Sequence, residues 1–137
     1  MAEYKAQCFC GSVRLSVAGD PVLQCYCHCM TCRAFSGAAF TSVVLWPTEQ
    51  VRFDDGQALV HRFRREDRPS FRLSCTACGG ALGSELPHLA MTDIYAGLVP
   101  GFSFEPTYHI NYEHAVFPIR EVSQSSRICR SGQAGPV

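Results

Sequence analysis

The chain has 137 residues, 47% of them hydrophobic and 18% charged, which fits one globular domain with a modest core. Twelve basic residues cancel twelve acidic ones, and that balance argues against bulk electrostatic binding to nucleic acid. No apolar run approaches the ~20 residues of a membrane span, and Met1–Gln7 lacks a signal-like apolar core. A cytoplasmic protein is expected, with its nine cysteines reduced and available to a metal rather than paired as disulfides.

The elements read mostly as strands. Residues 12–17 alternate polar and apolar, the pattern of a half-buried strand, and Gly19-Asp20-Pro21 marks a turn. Val22 to Cys25 reads as a second strand. Met30 to Ser36 fits a short helix closed by Gly37. Ala38 to Trp46 is a buried, β-branched strand ended by Pro47. Asp54-Asp55-Gly56 reads as a hairpin turn, followed by an alternating strand from Ala58 to Arg64. Phe71 to Cys75 and Ala81 to Leu86 form a strand, a cysteine knuckle and a strand. Later strands are expected at Ile94–Leu98, Tyr108–Tyr112 and Ala115–Val122. One domain over 1–122 and a flexible tail over 123–137, holding Cys129 as a spectator, complete the expectation. The fold class is all-β, mainly antiparallel, with one short helix.

Eight cysteines fall into three clusters with metal-ligand spacing: Cys8-Phe9-Cys10-Gly11, Cys25-Tyr26-Cys27-His28-Cys29-Met30-Thr31-Cys32, and Cys75-Thr76-Ala77-Cys78-Gly79. Zn²⁺ takes thiolates at about 2.3 Å in a tetrahedron, and a structural site is closed by four of them. Cys8 and Cys10 with Cys75 and Cys78 complete one such site. Cys27, Cys29 and Cys32 then remain, and three ligands with a fourth position open is the arrangement of a catalytic zinc. Cys25 is either a small buried hydrophobe or the fourth ligand that seals this second site. A partition joining Cys25 and Cys27 to Cys75 and Cys78 also satisfies the spacing.

These motifs, with Arg33, Ser36-Gly37-Ala38 and Thr107-Tyr108-His109-Ile110, resemble the glutathione-dependent formaldehyde-activating enzyme family, which includes the centromere protein V type. The resemblance covers roughly residues 6 to 120. It implies an Mss4-like zinc scaffold holding two Zn²⁺ per chain. The structural ion falls to Cys8, Cys10, Cys75 and Cys78, and the catalytic ion to Cys27, Cys29 and Cys32. It implies carbon–sulfur lyase chemistry on glutathione and formaldehyde, with a small thiol or its adduct as partner. Cys25 is an additional thiol, and Phe117-Pro118 stands where the family often has Trp. Three thiolates on Zn²⁺ leave a net charge of −1, which favours capture of a substrate thiolate over polarisation of a carbonyl.

His28, between two ligands, and His109 are candidates to support the second site, either as proton carriers or as buried sheet histidines. Arg33 is a candidate for a substrate carboxylate, since its guanidinium fork matches one. Arg62, Arg64, Arg65, Arg68 and Arg72 read as a solvated edge. A non-enzymatic zinc scaffold for a macromolecular partner is the rival reading, and it requires Cys25 to close the second site.

Overall fold

A computed structural model of the chain describes residues 1–119 and the backbone of Gly135–Pro136. The rest of the expected tail, Cys129 included, lies outside the described residues. In chain order the strands are β1 (Glu3–Gln7), β2 (Arg14–Ala18), β3 (Leu23–Cys27), β4 (Thr41–Pro47), β5 (Val51–Asp55), β6 (Val60–Phe63), β7 (Phe71–Cys75), β8 (Ala81–Leu86), β9 (Met91–Ile94), β10 (Tyr108–Ile110) and β11 (Gly135–Pro136). The single α-helix among the described residues, α1 (Met30–Ser36), follows β3. The fold is therefore mostly β: β1–β2, β2–β5, β4–β9, β6–β7, β7–β8, β8–β9 and β10–β11 pair antiparallel, and β10 pairs parallel with β3. No helix among the described residues is long and apolar enough to cross a membrane.

The chain divides into two compact units, Met1–Val22 with Val44–Ser103, and Leu23–Val43 with Phe104–Val137. In the first, β1, β2 and β5 form a three-stranded sheet in that order, while β4, β9, β8, β7 and β6 follow one another in a second sheet. The alternation seen in the sequence holds in part: Val13, Leu15 and Val17 are buried and Arg14 points to solvent, but Ser16 is buried as well. Cys8, Val13, Leu73, Cys75 and Leu82 pack into one buried cluster, with Phe53, Val60 and Leu98 against it. Each cysteine knuckle thus puts one sulfur, that of Cys8 or Cys75, into the apolar core of this unit, while Cys10 is exposed. Trp46 packs edge-on against Phe102, at a ring-centroid distance of 5.5 Å.

The second unit is built on β3, α1 and β10. Its aromatic centre is Tyr26, which meets Phe40 and Phe104 edge-on at 5.1 and 5.4 Å. Strand β10 runs parallel to β3, pairing Tyr108 with Cys25, His109 with Tyr26 and Ile110 with Cys27.

Three expectations are corrected. Asp54-Asp55-Gly56 is not a hairpin, because β5 pairs with β2 and β6 with β7. Gly56 is left-handed (φ 70), and a Cβ there would lie 2.0 Å from the Ser12 carbonyl oxygen. The chain is therefore pinned against Ser12 and leaves through a 3₁₀ turn, Gln57–Leu59, into the other sheet. The strand expected at Ile94–Leu98 ends at Ile94, where Ala96–Leu98 winds into a 3₁₀ turn. Of the strand expected at Ala115–Val122, residues 115–119 are irregular, with Val116 and Phe117 half-exposed, and residues 120–122 lie outside the described residues. Strand β1 carries no clear sequence signal, since only Ala6 is buried.

Candidate metal centres

The first centre lies wholly in the first unit. The sulfurs of Cys8, Cys10, Cys75 and Cys78 all lie within 4.8 Å of one another. Cys8 to Cys10 is 3.5 Å and Cys10 to Cys75 is 4.0 Å. Four sulfurs about 2.3 Å from one ion stand about 3.8 Å apart at the tetrahedron's edges, so the observed spacing fits a zinc-sized cation. Each knuckle is shaped by its own backbone. Gly11 N–H donates to the Cys8 carbonyl at 3.0 Å, and Gly79 N–H to the Cys75 carbonyl at 2.7 Å. These turns aim further N–H groups at sulfur: Val13 N–H at Cys8 (3.3 Å) and Gly80 N–H at Cys78 (3.4 Å). Such donors favour thiolate.

Acidity differs across the four. Hydrogen bonds from Ser12, side chain first and then backbone, bring the Cys10 thiol down to about 6. Burial pushes Cys75 up to about 11. The apo quartet therefore keeps some of its protons near neutral pH, and a cation must expel them to bind.

The second centre lies wholly in the second unit. The sulfurs of Cys27, Cys29 and Cys32 lie within 4.8 Å of one another, with Cys32 to Cys27 at 3.5 Å. Local structure explains the convergence. Cys27 ends β3, Cys29 is the N-cap of α1, and Cys32 sits on the helix's buried side. The cap is unusual in using sulfur: Cys29 Sγ accepts the Cys32 backbone N–H at 3.2 Å, doing what Ser or Asp does at most helix starts. Thr31 Oγ1 also lies 3.2 Å from this sulfur. Cys29 is pulled far below the ordinary thiol range by hydrogen bonds from Cys27 and Cys32, while hydrogen bonds with Cys29 and Cys32, and then burial, push Cys27 far above it.

No fourth His, Cys, Asp or Glu belongs to this group among the described residues. Cys25 is fully buried on β3 and belongs to neither set of mutually close sulfurs. Cys75 and Cys78 gather with Cys8 and Cys10, so the partition that joined them to Cys25 and Cys27 is not the one formed.

His28 and His109 are both buried and face each other, with His28 Nε2 2.9 Å from His109 Nδ1. Burial, then His109, then Arg33 depress His28 to about 4, so it is neutral at physiological pH. Tyr26 stacks on His109 at 5.2 Å, and Tyr112 meets His28 edge-on at 5.1 Å. Arg33 is half-buried, and its Nη1 donates to the His114 carbonyl at 2.7 Å. A cavity of about 490 Å³ opens on α1, lined by Met30, Arg33, Ala34, Ala38, Ala39 and Val116. In the first unit, Arg62 pairs with Glu85 and lies over the Phe71 ring, and Arg65 pairs with Asp67.

Sequence reasoning missed Asn111. Its Nδ2 donates to Cys27 Sγ at 3.7 Å, across a separation of 84 residues. The sequence reading placed it inside a strand over Tyr108–Tyr112, whereas the strand ends at Ile110 and Asn111 turns out of it in the left-handed conformation beside Cys27.

The family described as glutathione-dependent formaldehyde-activating enzyme matches residues 3–114. Among solved structures, the chain is similar to a crystal structure of a Rhodobacter sphaeroides protein. The TM-score is 0.60 at 18% identity, over 72% of this chain and 90% of that one. That likeness is one of fold. No curated protein matches the chain.

Proposed function

Because the chain belongs to the glutathione-dependent formaldehyde-activating enzyme family, we propose that it is a zinc-dependent carbon–sulfur lyase acting on a thiol–aldehyde adduct such as S-hydroxymethylglutathione. The observation that carries this reading is the trio of Cys27, Cys29 and Cys32, which converge without a fourth protein ligand among the described residues. In this reading the chain takes two zinc ions. Cys8, Cys10, Cys75 and Cys78 hold one as a structural clasp at the edge of the core cluster, which Cys8 and Cys75 enter. Cys27, Cys29 and Cys32 hold the other. A zinc there supplies, when bound, an exchangeable position that favours the thiolate form of an incoming sulfur.

The remaining work belongs to side chains of the second unit. Arg33, fixed by the His114 carbonyl, keeps other N–H groups for a substrate carboxylate at the cavity on α1. Met30, Ala34 and Val116 give that cavity apolar walls. Neutral His28 adds no positive charge to compete with a cation. In the lyase direction the C–S bond breaks with its electron pair going to sulfur. The hydroxymethyl oxygen gives up its proton, which balances the charge, and the products are thiol and aldehyde. The reverse direction joins them. A reducing compartment, the cytoplasm, suits so many reduced thiols.

The test is release of formaldehyde from S-hydroxymethylglutathione by zinc-loaded protein, measured above the spontaneous rate. Cys29→Ser is expected to abolish the excess rate. Arg33→Met is expected to raise KM about tenfold while kcat changes little, as for loss of a charge-assisted contact to the unreacting end of the substrate. Release no faster than with free zinc, or unaltered by Cys29→Ser, contradicts the proposal.

A further inference from the structure

We propose that Asn111 is a positioning residue for Cys27: its side-chain amide restrains that sulfur and withdraws charge from it, which keeps the bound thiolate from reacting as a nucleophile. The inference rests on reading the trio as a metal site, but not on the identity of the substrate.

The geometry begins with strand register. Ile110 pairs with Cys27 in the parallel ladder, and its carbonyl accepts the His28 N–H at 3.0 Å. The chain therefore reaches Asn111 beside Cys27. Asn111 then leaves the strand in the left-handed conformation, with φ 53 and ψ 39. Asn tolerates this region better than most residues other than glycine. The reversal starts the 3₁₀ turn Tyr112–His114 and brings Nδ2 to 3.7 Å from Cys27 Sγ. The far end of the same turn is held as well, because the His114 carbonyl accepts from Arg33 on α1. A segment anchored at both ends holds the amide in place.

The chemistry follows from unequal treatment of the sulfurs. Cys29 has the Cys32 backbone N–H and the Thr31 hydroxyl close by. Cys27 has the Cys29 backbone N–H, and the donor that reaches it from just beyond β10 is the Asn111 side chain. An N–H directed at a thiolate stabilises its charge and lowers its nucleophilicity. A thiolate that does not itself attack carbon stays available as a metal ligand.

The test separates the amide from the backbone it rides on. Asn111→Gly keeps the left-handed conformation and deletes the donor, while Asn111→Asp keeps the shape and reverses the polarity. In zinc-loaded protein, alkylation of Cys27 by iodoacetamide, followed by mass spectrometry, is expected to quicken roughly fivefold in both variants. Alkylation of Cys10 serves as the internal reference and is expected to stay constant. A purely structural role would leave Asn111→Gly at the wild-type rate, since glycine satisfies the backbone. Unchanged Cys27 rates in both variants, with two zincs bound per chain, would overturn the inference alone. Failure of wild-type Cys27, Cys29 and Cys32 to bind metal at all would overturn the reading beneath it.

Discussion

A carboxyl group sealed between strands holds its proton to higher pH than one in water, and Asp93 is such a group. It is 2% exposed on β9, and burial pushes it up to about 7 against the opposing pull of the Val44 N–H and Arg72. Its Oδ1 accepts the Val44 N–H at 2.9 Å. Between the ordinary carboxyl value of 3.8 and about 7, the folded chain binds more protons than the unfolded one. This group's contribution is therefore fully present below pH ~4 and is lost as pH rises through ~7, by at most ~4 kcal/mol. Asp93→Asn retains an oxygen for Val44 and cannot ionise. Relative to wild type, its thermal stability is expected to gain from pH ~4 to ~7 and to level off above that, as followed by circular dichroism. A constant difference between the two proteins across that range would contradict the assignment. Asp93 escaped sequence reasoning, because one acidic residue in a short strand looks like any exposed one.

Single elements differ in how plainly the sequence announces them. Helix α1 was readable at both ends, since Gly37 closes it in the left-handed conformation, φ 71. The pair β7 and β8 was readable because a cysteine knuckle must be flanked by chain running in and out. The crossing at Asp54-Asp55-Gly56 was not: its dipeptides carry hairpin chemistry, but the close approach of Ser12 is a tertiary fact. The parallel pair of β3 and β10 was likewise hidden, because its partners lie 83 residues apart at Cys25 and Tyr108. Two glycines make the contrast measurable. A Cβ at Gly37 would meet nothing within 4 Å, so Gly37→Ala is expected to cost only the conformational penalty, ~1 kcal/mol. A Cβ at Gly83 would lie 1.9 Å from the Asp93 carbonyl oxygen, a backbone atom that cannot swing aside. Gly83→Ala is expected to yield little folded protein, whereas Gly37→Ala melts as a cooperative domain in urea. Equal stabilities for the two would refute the contact.

At the scale of the molecule, each set of gathered sulfurs falls within one compact unit: four in the first and three in the second. The grouping was legible because knuckle spacing, one or two residues between cysteines, already confines each pair to one turn. The fate of Cys25 was not legible, because alternation along β3 puts it on the same side as Cys27. The proposed chemistry depends on that difference in number. Cobalt in place of zinc reports it directly, since sulfur-to-cobalt charge-transfer absorption grows with each thiolate bound. Glutathione added to cobalt-loaded wild-type protein is expected to raise this absorption saturably, and Cys29→Ser is expected to remove the increment. A spectrum indifferent to glutathione, with both sites loaded, would mean that the second centre is closed, and the protein a scaffold rather than a lyase.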